Sequence, residues 1–279
     1  MQVIADVVAA LDSFLWGLPL ILLLFGTHLF LTIRLRFPQR HIFKAIKLSF
    51  SRDAGAEGDV SQFGALTTAL AATIGTGNIV GVATAVALGG PGAVLWLWLT
   101  GVFGISTKYA EGLLAVKYRI KTPSGDMAGG PMYVLERGLG WRWMGILFAA
   151  FTAVAAFGIG CMVQANSISA LALSAFQIPG WVTGLLLTIL TAVVILGGIK
   201  SIARVCGVLV PFMALTYILG CLYILVLHYQ TLPATIALIV RSAFNGHAAV
   251  GGFTGATLMA ALRFGVARGL FSNESGLGS

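Results

Sequence analysis

Between Val60 and Thr107 the chain runs for 48 residues without an aspartate, glutamate, lysine or arginine. A single α-helix of that length would extend about 72 Å at about 1.5 Å per residue, whereas the hydrocarbon core of a bilayer is about 30 Å thick. The stretch GGPG at Gly89–Gly92 contains the residue types that favour a turn. We therefore expect two membrane-spanning segments here, over 60–87 and 93–116.

The composition of the whole chain supports a membrane protein. Apolar residues make up 58% of the chain and charged residues 9%, whereas soluble domains carry about 25% charged residues. The apolar runs are long and continuous and do not alternate, which favours helical spans over a β-barrel. The net charge of +8 comes from cations clustered between the apolar runs, so it indicates membrane orientation and not nucleic-acid binding.

Gaps between charged residues predict the remaining spans. The further predicted spans are 13–33, 144–174, 181–199 and 205–229, with a final apolar segment at 250–271. A tight basic loop is predicted at 200–204. A short interfacial helix is predicted within MYVLERGL, and a helix lying along the surface within TLPATIALIVRSAFNGH.

The distribution of positive charge predicts the orientation in the membrane. Thirteen of the seventeen lysines and arginines lie in three predicted loops, 34–59, 117–142 and 200–204. Loops rich in lysine and arginine face the cytoplasm. We therefore expect a multi-pass protein of the cell membrane with its N-terminus outside.

The stretch TIGTGNIVG at 73–81 is poorly suited to the middle of a membrane helix. In hydrocarbon every backbone polar group needs a partner, so irregular backbone is tolerated where it lines a cavity or binds something. If the helix unwinds here, the half-helix that begins near Ile79 offers free N–H groups to a carboxylate. The half-helix that ends near Ile74 offers carbonyl oxygens to Na⁺ or an ammonium group.

Close helix packing through small residues is the alternative for this stretch, since Gly77 and Gly81 are four residues apart. A second interruption, FSNESGLGS at 271–279, favours the binding interpretation. Five predicted spans separate the beginnings of the two interrupted segments, so the second enters the membrane in the opposite direction. Interrupted segments at matching positions of inverted repeats are typical of a secondary-transporter site.

Several long blocks carry a resemblance to a known family. They read GTGNIVGVATAVALGGPGAVLWLW, STKYAEGLLAVKYR, GGPMYVLERGLG, GIGCMVQANSIS and ARGLFSNESGLGS. The chain resembles the alanine or glycine:cation symporter family, the sodium:alanine symporters, in order over nearly its whole length. The resemblance implies an all-α membrane protein with the leucine-transporter-type inverted-repeat fold, here incomplete because complete members are longer.

That fold implies three parts of this chain. Residues 1–59 would form an extra N-terminal transmembrane helix and a basic cytoplasmic segment. Residues 60–230 would form the first five-helix repeat, and residues 231–279 a surface helix and the start of the second repeat. The chain would then be an N-terminal fragment.

The resemblance also implies symport of Na⁺, or H⁺ in some members, with alanine or glycine, and no further cofactor. The residues implied in substrate binding are Thr76, Gly77, Asn78, Gln164, Ser272, Asn273 and Gly276. The residues predicted to bind Na⁺, mainly through backbone carbonyls, are Ala72, Thr73, Ile74 and Asn78. Ala72 departs from members that have an acidic residue at its position, which places more of the coordination on carbonyls.

Some polar residues have structural alternatives. Gln164 lies mid-span, where it would line the cavity or form an interhelical hydrogen bond. Lys108 and Glu111, at i and i+3, are predicted to form a structural pair. His28 is predicted to hydrogen-bond within its helix bundle.

A membrane enzyme would need a nucleophile with its base, or a set of metal ligands. The sequence contains no HExxH, no GxSxG and no cluster of histidines or cysteines, which disfavours a membrane enzyme. An H⁺-coupled carrier or a carrier of another solute on the same scaffold stays open, as does a channel. The sequence does not indicate the oligomeric state.

Overall fold

The computed structural model describes residues 2–51, 58–245 and 258–278, and most of them are helical. The helices are α1 (Gln2–Leu15), α2 (Leu18–Arg34), α3 (Ile42–Ser49), α4 (Gln62–Thr73), α5 (Val82–Gly89), α6 (Ala93–Lys117), α7 (Pro131–Tyr133), α8 (Arg142–Ala155), α9 (Val163–Phe176), α10 (Gly180–Ile195), α11 (Gly198–Leu227), α12 (Leu232–Asn245) and α13 (Leu258–Asn273). Segments of π-helix are Gly77–Gly81, Val134–Gly138 and Ala156–Met162, and 3₁₀ turns are Pro38–His41 and Tyr229–Thr231. Two short strands, β1 (Ile120–Lys121) and β2 (Met127–Ala128), form an antiparallel hairpin.

The chain divides into two compact units. The first unit comprises Met1–Ile42, Gly77–Glu111 and Gly220–Ser279, and the second comprises Phe43–Thr76 and Gly112–Leu219. The chain passes from the second unit to the first between Thr76 and Gly77, within the stretch predicted to interrupt a helix.

Long apolar helices confirm the helical membrane class. Arg142–Phe176 and Gly198–Leu227 are each long and apolar enough to cross a membrane. Two further pairs of consecutive helices pass the same test if each pair counts as one interrupted span: α2 with Pro38–Ser49, and α4 with Gly77–Gly89. Helix α6 agrees with the predicted span at 93–116, and Gly90 adopts a φ of 73° in the predicted turn before it.

The predicted basic loop at 200–204 is wrong. Gly198 adopts a φ of 68°, so the chain turns at once after α10 and α11 begins at Gly198. Lys200 and Arg204 therefore lie in the first turns of a 30-residue helix. The predicted first span also begins later than expected, because Gly17 precedes α2 and a proline occupies the first turn of that helix.

In the first unit, α13 packs antiparallel to α5 and parallel to α6. A Cβ on Gly89 would lie 3.1 Å from the Phe264 Cβ, and a Cβ on Gly77 would lie 3.1 Å from the Phe271 ring. Residue numbers thus fall on α5 as they rise on α13. Along α6 both numbers rise together, since Gly265 contacts Trp96 and Gly269 contacts Thr100.

Helix α2 completes this bundle through apolar and polar contacts. Its Ile21 and Leu24 form a buried core with Val266 and Leu270 of α13. Further along, His28 Nδ1 and Thr107 Oγ1 are 2.7 Å apart, which confirms the predicted hydrogen bond of His28 within the bundle. One turn later, Thr32 Oγ1 and Ser106 Oγ are 2.8 Å apart, and all four side chains are buried.

In the second unit, the start of α4 lies against α11. A Cβ on Gly64 would lie 3.6 Å from the Ala203 Cβ. Beside this contact is a cavity of about 410 Å³ whose lining includes Ser61, Lys200 and Arg204. The hairpin belongs to the same unit, where the Asp59 carboxylate accepts a hydrogen bond of 2.9 Å from the Met127 N–H.

We expect Gly265→Ala to destabilise the protein. The new Cβ would lie 2.5 Å from the Ala93 carbonyl oxygen and 2.7 Å from the Trp96 Cβ, and overpacking of this kind costs about 1–3 kcal/mol. The apparent Tm of the purified protein in detergent, measured by intrinsic fluorescence, should fall by several degrees.

Gly101→Ala is the matched control on α6. No described atom lies within 4 Å of a Cβ at position 101, and alanine favours a helix interior over glycine by about 1 kcal/mol. This variant should melt at the wild-type temperature or slightly above it. Equal melting temperatures for the two variants would contradict the close approach of α6 and α13.

Candidate functional site

The first interruption predicted from the sequence is present. Helix α4 ends at Thr73, Ile74 is extended with φ −88° and ψ 97°, and a π-helical turn begins at Gly77. The Ile74 N–H donates to the Leu70 carbonyl at 2.7 Å. The carbonyls of Ala71 and Ala72 have no i+4 amide within α4, because that helix has already ended.

In the second unit, the Gln164 side chain satisfies the irregular backbone of this interruption. Gln164 Oε1 accepts a hydrogen bond from the Thr76 hydroxyl and another of 3.4 Å from the Thr76 N–H. The glutamine thus forms the interhelical bond that was one alternative, and its partner is a residue predicted to bind substrate. The side chain also lies against Gly75, where a Cβ would be 3.6 Å from Oε1.

A π-helical segment positions Gln164. Residues Ala156–Met162 are π-helical within the continuous helix Arg142–Phe176, and Gln164 follows two residues later. The wider turn changes which residues face a neighbour, so a regular 3.6-residue stripe does not describe this helix. The sequence analysis missed this segment, although Gly158 and Gly160 within it were a signal of irregularity.

In the first unit, the residues after the first interruption lie beside the end of α13. The Ser272 hydroxyl donates a hydrogen bond to Asn78 Oδ1. Gly77 is buried, and the Phe271 ring lies so close that a side chain at position 77 would displace it. The antiparallel packing of α5 and α13 brings these residues together.

At the second predicted interruption the helix stops. Helix α13 ends at Asn273, and the Glu274 N–H closes the last turn by donating to the Leu270 carbonyl at 2.7 Å. Glu274, Gly276 and Gly278 adopt positive φ values of 55°, 94° and 77°. Asn273 Oδ1 accepts a hydrogen bond of 2.9 Å from the Ser275 N–H.

These two helix ends carry opposite partial charges. The segment Gly77–Gly89 presents its N-terminal, positive end, and α13 presents its C-terminal, negative end. Both ends lie in the first unit, joined by the bond between Asn78 and Ser272. This pair of ends suits a zwitterion, with its carboxylate on N–H groups and its ammonium on carbonyls.

The sequence analysis did not assign Glu111 to this region. Glu111 Oε1 accepts hydrogen bonds of 3.1 Å from the N–H groups of both Gly276 and Gly278. Its predicted pairing with Lys108 is present, with Nζ and Oε2 4.0 Å apart. An acidic residue at membrane depth is the signal that would have pointed to a second role.

The structure places the predicted site residues in two groups. The first unit contains Gly77, Asn78, Ser272, Asn273 and Gly276, and the second unit contains Ala72, Thr73, Ile74, Thr76 and Gln164. Within the described ranges, no group of three or more histidine, cysteine, aspartate or glutamate residues is placed to hold a metal ion.

A family model with the description sodium:alanine symporter family matches residues 1–279. The chain belongs to this family. The family is one of transporters, and with the long apolar helices it indicates a multi-pass membrane protein.

Three relatives illustrate the likeness to the sodium:alanine symporters. The chain is 55% identical over 278 residues to an uncharacterized transporter of Haemophilus influenzae, covering 99% of this chain and 61% of that protein. It is 52% identical over 281 residues to the sodium/alanine symporter AgcS of Methanococcus maripaludis, covering 98% and 61%. It is 43% identical over 275 residues to the putative sodium/proton-dependent alanine carrier protein YrbD of Bacillus subtilis, covering 99% and 56%. The chain thus spans about three fifths of the length of these relatives.

We expect Thr76→Val and Gln164→Leu to destabilise the protein non-additively. Each substitution removes the same hydrogen bonds, so the double variant should lose less stability than the sum of the single variants. Such couplings in membrane proteins average about 0.6 kcal/mol and reach about 1.7 kcal/mol. The measurement is a double-mutant cycle of unfolding free energies in mixed micelles.

Thr188→Val provides the matched control for this cycle. The Thr188 hydroxyl donates to the Gly184 carbonyl of its own helix at 2.8 Å and is exposed. Its combination with Gln164→Leu should be additive. Additive behaviour of the Thr76 pair as well would show that the Gln164 bond does not stabilise the interruption.

Proposed function

We propose that the full-length protein is a secondary active transporter that couples Na⁺ entry to the uptake of alanine or glycine across the cell membrane. Support comes from the sodium:alanine symporter family and from the name of the relative AgcS. The observation that carries the proposal is the meeting, in the first unit, of the helix start at Gly77 with the end of the antiparallel helix α13, joined by Asn78 and Ser272.

The two helix ends would bind the two charges of the amino acid. The substrate carboxylate accepts hydrogen bonds from the N–H groups at Gly77 and Asn78, at the positive end of the Gly77–Gly89 segment. The ammonium group binds the carbonyl end of α13 together with Ser272 and Asn273. Gly276 lets the chain turn away after the helix end with its φ of 94°.

The same region would select a small side chain. The Phe271 ring contacts Gly77 so closely that a Cβ there would lie 3.1 Å from the ring. A methyl group or a hydrogen on the substrate needs little room beside these residues. Alanine and glycine meet this condition.

The coupling ion would bind backbone carbonyls at the end of α4. A helix leaves its last carbonyls without intrahelical partners, and these are hard oxygen ligands suited to Na⁺. We propose the carbonyls of Ala72, Thr73 and Ile74 for this role. Thr76 and Gln164, which bond to each other in this unit, contribute polar groups beside them.

Asn78 was predicted to bind both Na⁺ and the substrate. Its side-chain oxygen already accepts a hydrogen bond from Ser272, and an amide oxygen has a second lone pair for an ion or an ammonium group. We propose this oxygen for the substrate ammonium group, beside Ser272 in the same unit.

The orientation with the N-terminus outside belongs to the same proposal. It rests on the distribution of positive charge, because eleven of the seventeen lysines and arginines lie in the two predicted cytoplasmic segments 34–59 and 117–142.

We expect proteoliposomes containing the full-length protein to accumulate labelled alanine only under an inward Na⁺ gradient. Asn78→Ala should reduce the initial rate by at least about tenfold, because it leaves polar partners in the site unsatisfied. Thr84→Ala on the same helix is the matched control, since the exposed Thr84 hydroxyl donates to the Val80 carbonyl of its own helix. Its uptake should match that of the wild type.

The outcome also decides between coupling ions. Uptake that persists without Na⁺ and follows an imposed proton gradient would replace Na⁺ by H⁺, the second ion in the name of the relative YrbD. Absence of alanine and glycine uptake under either gradient would reject the proposed substrate. Conductance that saturates neither with substrate nor with ion would indicate a channel.

A further inference from the structure

The turn that follows α13 is held by a carboxylate from another helix. Glu111 belongs to α6, and its Oε1 accepts hydrogen bonds of 3.1 Å from the N–H groups of Gly276 and Gly278. These residues are 165 and 167 positions away in the sequence. The contact therefore ties the second interruption to a distant part of the chain.

The backbone of this turn directs two alternate N–H groups at one acceptor. Positive φ values at Glu274, Gly276 and Gly278 alternate with residues of negative φ. The N–H groups of Gly276 and Gly278 both donate to Glu111 Oε1, whereas the Leu277 N–H between them donates to the Glu274 carbonyl at 3.3 Å. Backbone N–H groups that converge on one atom favour a negative charge there. In this structure the negative charge is an oxygen of Glu111.

The other oxygen of Glu111, Oε2, has no close partner in the described part of the chain that would draw the carboxylate away from the turn. Oε2 has no hydrogen-bond partner among the described residues, and the Lys108 Nζ is 4.0 Å away. That distance is at the limit for an ion pair, and the Lys108 side chain is 34% exposed. The two backbone N–H groups are thus the close partners of the carboxylate.

The conformation of this turn affects the proposed substrate-binding residues, because the turn follows them directly in the sequence. Ser272 and Asn273 end α13, and the Asn273 side chain already bonds to the N–H of Ser275 in the turn. On the helical side, Gly265 and Gly269 hold α13 against α6. Glu111 holds the chain on the far side of the interruption against the same helix.

We propose that Glu111 is a positioning residue that sets the conformation of the second interruption by acting as the resident anion of the Gly276–Gly278 turn. It does not touch the substrate. It fixes the orientation of the end of α13, where Ser272 and Asn273 bind. The transport part of its test rests on the proposed function, and the amide-exchange part does not.

The first test is hydrogen–deuterium exchange of the full-length protein in nanodiscs. Glu111→Ala should accelerate exchange of the amides in the 274–278 segment by at least about tenfold, because a charge-assisted acceptor is removed. Glu111→Gln keeps the shape and one neutral acceptor, so its exchange should fall between that of Glu111→Ala and the wild type. Exchange in α10 should stay unchanged and reports that the variants are folded.

Two control variants separate the role of Glu111 from general effects of charge. Lys108→Gln removes the weak pair and should leave exchange in the 274–278 segment within about twofold of the wild type, as expected for a partly exposed ion pair. Glu136→Gln removes a carboxylate of the second unit that lies 3.7 Å from Arg142. It should change nothing in this segment. Wild-type exchange in Glu111→Ala would overturn the proposal.

The second test is alanine uptake by the same variants. A positioning role predicts that Glu111→Gln raises the KM for alanine by about tenfold while the maximal rate per folded protein changes by less than about threefold, since mispositioned groups weaken binding. A merely structural role would lower the maximal rate through loss of folded protein and leave KM unchanged, and this result would also overturn the proposal.

The two readouts separate the two proposals. A wild type that transports neither alanine nor glycine rejects the proposed function, while the exchange data still decide the role of Glu111. A wild type that transports alanine, combined with unaltered KM in Glu111→Gln, rejects the role of Glu111 and leaves the proposed function standing.

Discussion

The fold of this chain depends on the requirement that backbone N–H and C=O groups at membrane depth find partners within the protein. A continuous helix is the simplest solution, but α4 stops at Thr73 and α13 stops at Asn273. The structure answers with side chains from other helices. Gln164 accepts from the backbone and hydroxyl of Thr76, Ser272 bonds to Asn78, and Glu111 accepts from the turn after α13.

This arrangement explains why polar residues occur where they do in so apolar a chain. Where a helix stops, its free backbone N–H and C=O groups can bind a ligand. The irregular backbone there also needs side chains that fix its conformation. An apolar residue at position 111 or 164 would leave N–H groups unsatisfied at a cost of about 1–3 kcal/mol each. The few polar side chains therefore support the same places where binding is proposed.

Much of the fold follows from the sequence because bilayer thickness limits helix length. The gap between Asp59 and Lys108 predicted the interrupted helix, the turn at Gly89–Gly92 and the span that became α6. The errors came where the backbone conformation of a single residue decides the length of a connection. Gly198 has a positive φ, so the chain turns between α10 and α11 within a few residues, and the predicted loop at 200–204 is part of α11.

The candidate site was predictable in part for a related reason. Glycine and asparagine in an apolar run predict that a helix stops, and α4 ends at Thr73 and α13 at Asn273, close to the residues predicted to bind substrate. The partners that shape the interruptions were harder to find, because they are distant in sequence. Nothing near Glu111 indicates that it contacts Gly276, and only the fold brings the two together. The complete inverted-repeat fold stays a prediction, with the antiparallel course of α5 and α13 in its favour.

The glycines at 265 and 269 have a mechanical consequence. Because α6 and α13 approach so closely, turning α13 about its axis by one residue would drive a larger side chain, such as Arg268, into the space that a hydrogen now occupies. The face that α13 presents to α6 is therefore fixed at Gly265 and Gly269. A movement of the end of α13 that keeps this contact is confined to the residues after Gly269, where the last turn of the helix can unwind.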